Sequence, residues 1–177
     1  MAQGMQAGTL VPSQVAVVIS HKATGGAYVM TGFMDDAAVD IERGESAWSH
    51  LIGTHDFFSR VHNIDTTSQV TLHLQQTSSD NDVLQKLYDY DRTHFRNEGL
   101  FSIAIIDKSG RTALFSTQAF VATLPNVTFG NAINSNDWVI TLPYSDWHVG
   151  GNTKVGGEVQ SFLADLGYQI DDDWVIN

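Results

Sequence analysis

The sequence predicts a mainly β domain, a barrel or sandwich with one principal helix on its flank. Three observations predict it. Short segments alternate apolar and polar residues and are separated by turn signals, as where Val70, Leu72 and Leu74 interleave with Thr71, His73 and Gln75. Charged residues make up only 16% of a chain that is 42% hydrophobic, so much of the polar surface is Ser, Thr, Asn and Gln, which favours strands. One longer stretch then changes period: Val83, Leu84, Leu87 and Tyr88 fall at the three- and four-residue spacings of a helix face.

The elements follow in order. Residues 1–13 are small and polar and read as a flexible arm, ahead of a single domain over 14–177. Strands are predicted over 14–20 and 27–33, with Gly25 and Gly26 turning the hairpin between them, and over 38–43, where Val39 and Ile41 oppose Asp40 and Glu42. Residues 44–57 carry Trp48, Leu51, Ile52 and Phe57 without a clean period and read as a long loop or an extended hairpin tip. An apolar loop of that length marks a contact surface or folds back as a satellite core. Strands return over 58–64 and 68–75. The helix is predicted over about 80–96, with Ser79 and Asp82 spaced like a capping box and Asp80 and Asp82 at the positive end of its dipole. Further strands are predicted over 100–106, 111–122 and 137–142. The region 143–177 is a less defined extension, with a short amphipathic helix over 157–166, presenting Val159, Phe162, Leu163 and Leu166 and stopped by Gly167, then an edge strand over 168–176.

Composition excludes several kinds of chemistry. With no cysteine there is neither a disulfide framework nor a thiolate site. Nine Lys and Arg against 20 Asp and Glu leave a formal charge of −11, which disfavours tight binding to nucleic-acid phosphates. The opening MAQGMQAGTLVPSQ has no basic, apolar leader pattern, which points to a chain made and used in the cytoplasm; the Asn126-Val127-Thr128 sequon is then idle. His50, His55 and His62 lie close in sequence but lack the i, i+4 pairing of a helical zinc motif, so no metal or other cofactor is expected. No G-x-S-x-G elbow occurs, and GGNTKVGG at 150–157 lacks the ending of a phosphate loop and reads as a flexible connection. Asp35-Asp36 and Asp171-Asp172-Asp173 lack a calcium-loop pattern and read as solvated acidic edges.

Three segments, in order, carry a likeness. They are TGFMDDAAVDIERGESAWSHLIGTHDFFSRVHN, the V-T-L-x-L-x-Q-T-S-x-x-N-D-V-L run from Val70 to Leu84, and LPNVTFGNAINSNDWVI. Together they span roughly residues 14–142, and there the chain resembles the tail tube proteins of contractile-tailed bacteriophages.

The resemblance implies a virion structural protein with no enzymatic role: a tail-tube-type β-barrel or sandwich whose subunits form hexameric rings. The rings would stack into a tube inside a contractile sheath, a passive conduit for DNA ejection. The implied partners are further copies of the chain, the tail sheath protein, the tape measure protein, baseplate and tube-terminator proteins, and double-stranded DNA that passes without sticking. The implied location is the virion tail, assembled in the host cytoplasm. On this reading the 44–58 loop packs Trp48, Leu51, Ile52, Phe57 and Phe58 against the next ring, and Asp40, Glu42 and Asp65 are candidates for an acidic lumen that repels phosphates. The strand over 68–75 would supply the inner wall and the helix the outer flank. A tube subunit of a related contractile injection or secretion system is a close alternative. A monomeric small-ligand-binding barrel or a hydrolase is a distant one, requiring an enclosed cavity or a His/Asp/Ser cluster.

Overall fold

A computed structural model describes residues 7–35 and 38–176, so residues 1–6 of the expected arm and Asp36 of the acidic pair lie outside the described residues. The fold is mainly β. Strands β1 (Val15–Ser20), β2 (Ala27–Met30), β3 (Val39–Arg43), β4 (Trp48–Ile52), β5 (Phe58–His62) and β6 (Ser68–Gln75) precede helix α1 (Asp80–Thr93). Then come β7 (Phe101–Asp107), β8 (Ala113–Thr123), β9 (Ser135–Leu142), β10 (Asp146–His148) and helix α2 (Gly157–Asp165).

One eight-stranded sheet runs β2-β1-β7-β8-β9-β6-β3, with β10 on β8, and all of its strand pairings are antiparallel. The sheet closes on itself. Past β2 the chain crosses to β6, where Phe33 bridges Leu74, Met34 N–H donates to the His73 carbonyl and Gln75 N–H donates to the Gly32 carbonyl. The result is a barrel.

Alternation supplies its interior. Val17 and Ile19 of β1, Val70, Leu72 and Leu74 of β6, Phe101, Ile103 and Ile105 of β7, and Trp138, Ile140 and Leu142 of β9 all point inward and are buried. These side chains fill the barrel, so the ligand-binding alternative gains no support from its interior. In β8 the inward set changes parity, from Leu114 and Ser116 to Ala119 and Val121. The β7 register shifts between Phe101 and Ile103 at the same place, which is the signature of a bulge that bends β8 from one side of the barrel to the other.

Helix α1 buries Leu84 and packs Leu87 and Tyr88 on the core, as its period predicts. Its start differs from the expected capping box. Ser79 has helical dihedrals and makes no side-chain cap; Ser78 Oγ instead accepts from Asp80 N–H at 3.1 Å. The helix stops at Thr93, short of 96, because His94 is extended and Arg96 and Asn97 adopt positive φ.

Asp80 is buried beneath this turn, accepting from Tyr28 Oη at 2.6 Å, Thr31 N–H at 2.9 Å and Gly32 N–H at 2.8 Å. Asn81 accepts from Asn136 Nδ2 and Trp138 Nε1 through its own Oδ1. The helix start is therefore clasped to β9 and to the segment that closes the barrel. A Cβ on Gly32 would overlap Ser78 Oγ, so glycine is required at this crossing.

The carboxy-terminal region departs from expectation in two places. Residues 150–157 are pinned: Arg111 Nη1 donates to the Thr153 carbonyl, and Val155 is buried, its N–H donating to the Trp174 carbonyl at 2.7 Å. The expected strand over 168–176 is only a 3-10 turn, Asp172–Trp174, with one parallel bridge between Val155 and Val175. Gly167, at φ 81°, ends α2 as expected. Val11 N–H donates to Ser109 Oγ and Lys108 N–H to the Gln14 carbonyl, tying residues ahead of β1 to the turn after β7.

Candidate assembly interface

The apolar stretch after β3 forms a hairpin of its own. Gly44 N–H continues the β3–β6 ladder to the Thr67 carbonyl, and beyond it, among the described residues, β4 and β5 pair only with each other. All residues of both strands are exposed. Both faces of a two-stranded ribbon therefore meet solvent, an arrangement marginal in water unless something packs on it.

The register sorts the side chains. Trp48, His50 and Ile52 stand opposite His62, Arg60 and Phe58 on one face, while Ser49 and Leu51 stand opposite Val61 and Ser59 on the other. The first face is a connected ladder: Arg60 lies 4.0 Å over the Trp48 ring, Trp48 meets His62 at 4.8 Å, and His50 stacks on Phe58 at 5.7 Å. The turn is set by Gly53 N–H donating to the Phe57 carbonyl and by Asp56 at φ 59°, and it presents Phe57 at 78% exposure. The five apolar candidates Trp48, Leu51, Ile52, Phe57 and Phe58 are thus all exposed on one projection. The polar half of the ladder is Arg60 with His50 and His62; the alternation of these residues with Trp48, Ile52 and Phe58 shows only once the pairing is known.

The acidic candidates separate. Asp40 and Glu42 are exposed on the outer face of β3, whereas Asp65 lies in the loop before β6. Asp65 accepts from Thr67 N–H at 2.8 Å, and the Thr67 side-chain and backbone hydrogen bonds hold its carboxyl below the usual carboxylate range. Asp40 joins a cross-strand network instead. His73 Nε2 lies 3.1 Å from Asp40 Oδ2 and His73 Nδ1 lies 2.7 Å from Asp137 Oδ1, which also accepts from Ser135 Oγ. The imidazole donates to both carboxylates only when protonated. Partial burial pulls its pKa down, but the hydrogen bonds and charges of Asp137 and Asp40 outweigh this and raise it. The Ser135 and His73 hydrogen bonds, against partial burial, lower that of Asp137.

This sets a pH window for stability. The His73 contribution is complete below its ordinary 6.5 and is lost as pH rises through the raised folded value. The Asp137 contribution is present above its ordinary 3.8 and is lost as pH falls through the lowered folded value. Urea unfolding should therefore show greater stability near about pH 5.5 than near about pH 8.5. Because the two carboxylates are more than half exposed, the gap should be about 0.5 kcal/mol, and His73→Gln should abolish it.

Among the described residues no group of three His, Asp or Glu could hold a metal, and His73 itself faces its carboxylates from opposite ring nitrogens. No described helix is long and apolar enough to cross a membrane. Other exposed apolar surface lies on α2 (Val159, Phe162), at its C-cap (Leu166) and in the β8–β9 loop (Val127, Phe129, Ile133). An open groove of about 530 Å³ runs over the outside of β1, β7 and β8. Exposed apolar surface of this extent marks contact sites.

The chain is 37% identical, over 167 residues, to Structural protein ORF10 of Pseudomonas phage KPP10, covering 94% of this chain and 96% of that protein. It belongs to this phage structural protein family. No family model matches the chain. The kinship extends well beyond residues 14–142, so the region from Pro143 through α2 is part of the family's shared length. Among the described residues, the β4–β5 hairpin is a two-stranded projection whose strand residues are all exposed.

Proposed function

We propose that the protein is the tail tube subunit of a contractile-tailed phage, forming hexameric rings that stack inside the sheath as a passive conduit for DNA. One observation carries the reading: a filled, closed barrel projects a hairpin whose apolar side chains, Trp48, Leu51, Ile52, Phe57 and Phe58, are exposed on both faces. Such a ribbon becomes stable when another copy covers it, and a contact between unlike surfaces repeated by rotation and translation builds rings and tubes. The phage relative favours DNA over protein as the cargo.

In this role the chain is scaffold rather than catalyst. A charge of −11 on each subunit disfavours adhesion of phosphates to the lumen, with Asp40, Glu42 and Asp65 as candidate lining groups. The sheath, tape measure, baseplate and tube-terminator proteins are the partners the assembly requires, in a tail put together in the host cytoplasm.

Negative-stain electron microscopy of the purified protein, over a range of concentration and salt with sedimentation alongside, tests this. Rings or hollow tubes of six-fold symmetry are the expected images. Closed shells, or a monomer that persists when sheath and baseplate proteins are added, would sink the proposal.

A further inference from the structure

Two apolar projections occupy opposite ends of one ladder. The β4–β5 hairpin leaves the barrel where Ser68 of β6 pairs Leu142 of β9, and the β8–β9 loop sits at the other end, where Gln75 pairs Ser135. Seven residues of strand separate the ends, roughly 24 Å. The loop, LPNVTFGNAIN over 124–134, has no charged residue and is held in shape: Gln76 Nε2 and Asn134 Nδ2 both donate to the Thr128 carbonyl at 3.2 Å, and Gln76 N–H donates to the Asn134 carbonyl. It nevertheless presents Phe129 at 88% exposure and leaves Val127 and Ile133 exposed as well. A loop pinned by hydrogen bonds that still exposes its aromatic residue has the form of a preformed receptor surface.

The two ends differ in charge. In a chain of formal charge −11, residues 47–64 sum to zero, with Arg60 over the Trp48 ring as the cation of the exposed ladder and Asp56 in the turn. The neutral loop is flanked by carboxylates: exposed Asp82 in the first turn of α1, which Asn81 joins to Asn136 and Trp138, and Asp137 near the start of β9. A cation-bearing apolar face at one end and a carboxylate-flanked apolar loop at the other fit one another in a second copy placed end to end, and not within one chain.

We propose that the 124–134 loop, with Phe129 at its centre, is the surface that receives the β4–β5 hairpin of the next copy along the axis. The inference rests on the tube reading and adds the missing half of its contact. It makes stacking a head-to-tail interface that does not close, so copies add without limit while orientation stays fixed.

The absence of cysteine makes a direct test available. Ile52→Cys and Ala132→Cys are prepared as single variants, mixed under assembly conditions and oxidised, with Val159→Cys on α2 as the comparison site. Mixed disulfide dimers of I52C with A132C, in excess of I52C with V159C, are expected. Phe129→Ser should lower the polymerised fraction about tenfold or more by sedimentation while the circular dichroism spectrum is unchanged. Tubes that form with I52C linked to V159C, or with no I52C–A132C dimer, would overturn the pairing and leave the tube reading standing. No ordered assembly together with no disulfide would overturn both.

Discussion

Replacing Trp48, Leu51 and Ile52 together with serine is expected to abolish tube formation while leaving a folded subunit. The three side chains are between half and two-thirds exposed in the single chain, and none belongs to the core. Their removal therefore costs the barrel little. In an assembled contact each would bury most of its surface, so the triple change forfeits about 5 kcal/mol per subunit contact, more than a thousandfold in association constant. Sedimentation should find the variant at ring or monomer size at concentrations where the parent pellets, with an unchanged thermal midpoint. Tubes of normal length from the variant would remove the hairpin from the assembly mechanism.

Asp80→Ala is expected to destabilise the fold by about 3 kcal/mol. The carboxylate accepts three hydrogen bonds at the start of α1, two of them from backbone N–H groups of Thr31 and Gly32. Alanine strands those donors where the carboxylate was buried and removes a negative charge from the positive end of the helix. For a chain of 177 residues the thermal midpoint should fall by roughly 10 °C. Asp80→Asn keeps one acceptor oxygen and should lose less. A loss below about 1 kcal/mol for the alanine variant would mean that water replaces the carboxylate and that the clasp contributes little.

Much of the fold was legible because periodicity is local. The alternation of Val70, Leu72 and Leu74 placed β6, and the spacing of Leu84, Leu87 and Tyr88 placed the inner face of α1. What escaped depends on partners distant in sequence. The capping box failed because Ser78, one residue before the motif, is held at the Gly32 crossing and takes the cap. Asp80 reads in sequence as a helix-dipole residue; its burial is visible only when Tyr28 and Thr31 arrive from the closing segment. The second strand of the hairpin is legible over 58–64, but the first is legible only as unexplained apolar surface, since one face mixes Trp48 and Ile52 with His50 and Arg60 and the other mixes Leu51 and Val61 with Ser49 and Ser59, leaving no polar side. His73 reads in sequence only as a polar position of an alternating strand, because Asp40 and Asp137 come from two other strands. The face formed by Val127, Phe129 and Ile133 gave no periodic signal at all.

The barrel's closure through Phe33 and Leu74 bears on how such a subunit is kept until it is used. An open sheet offers two rows of unpaired backbone groups to any other extended chain, and at high concentration those edges seed fibres of mixed register. Closing the sheet withdraws them. The β4–β5 ribbon, which carries Arg60, is left as the prominent open edge, and charge on an edge discourages its addition to a like edge. Growth is then governed by side-chain fit, which has one geometry, rather than by backbone pairing, which has many. A cell could hold this protein in large excess over its binding partners without the stock turning into amyloid-like material.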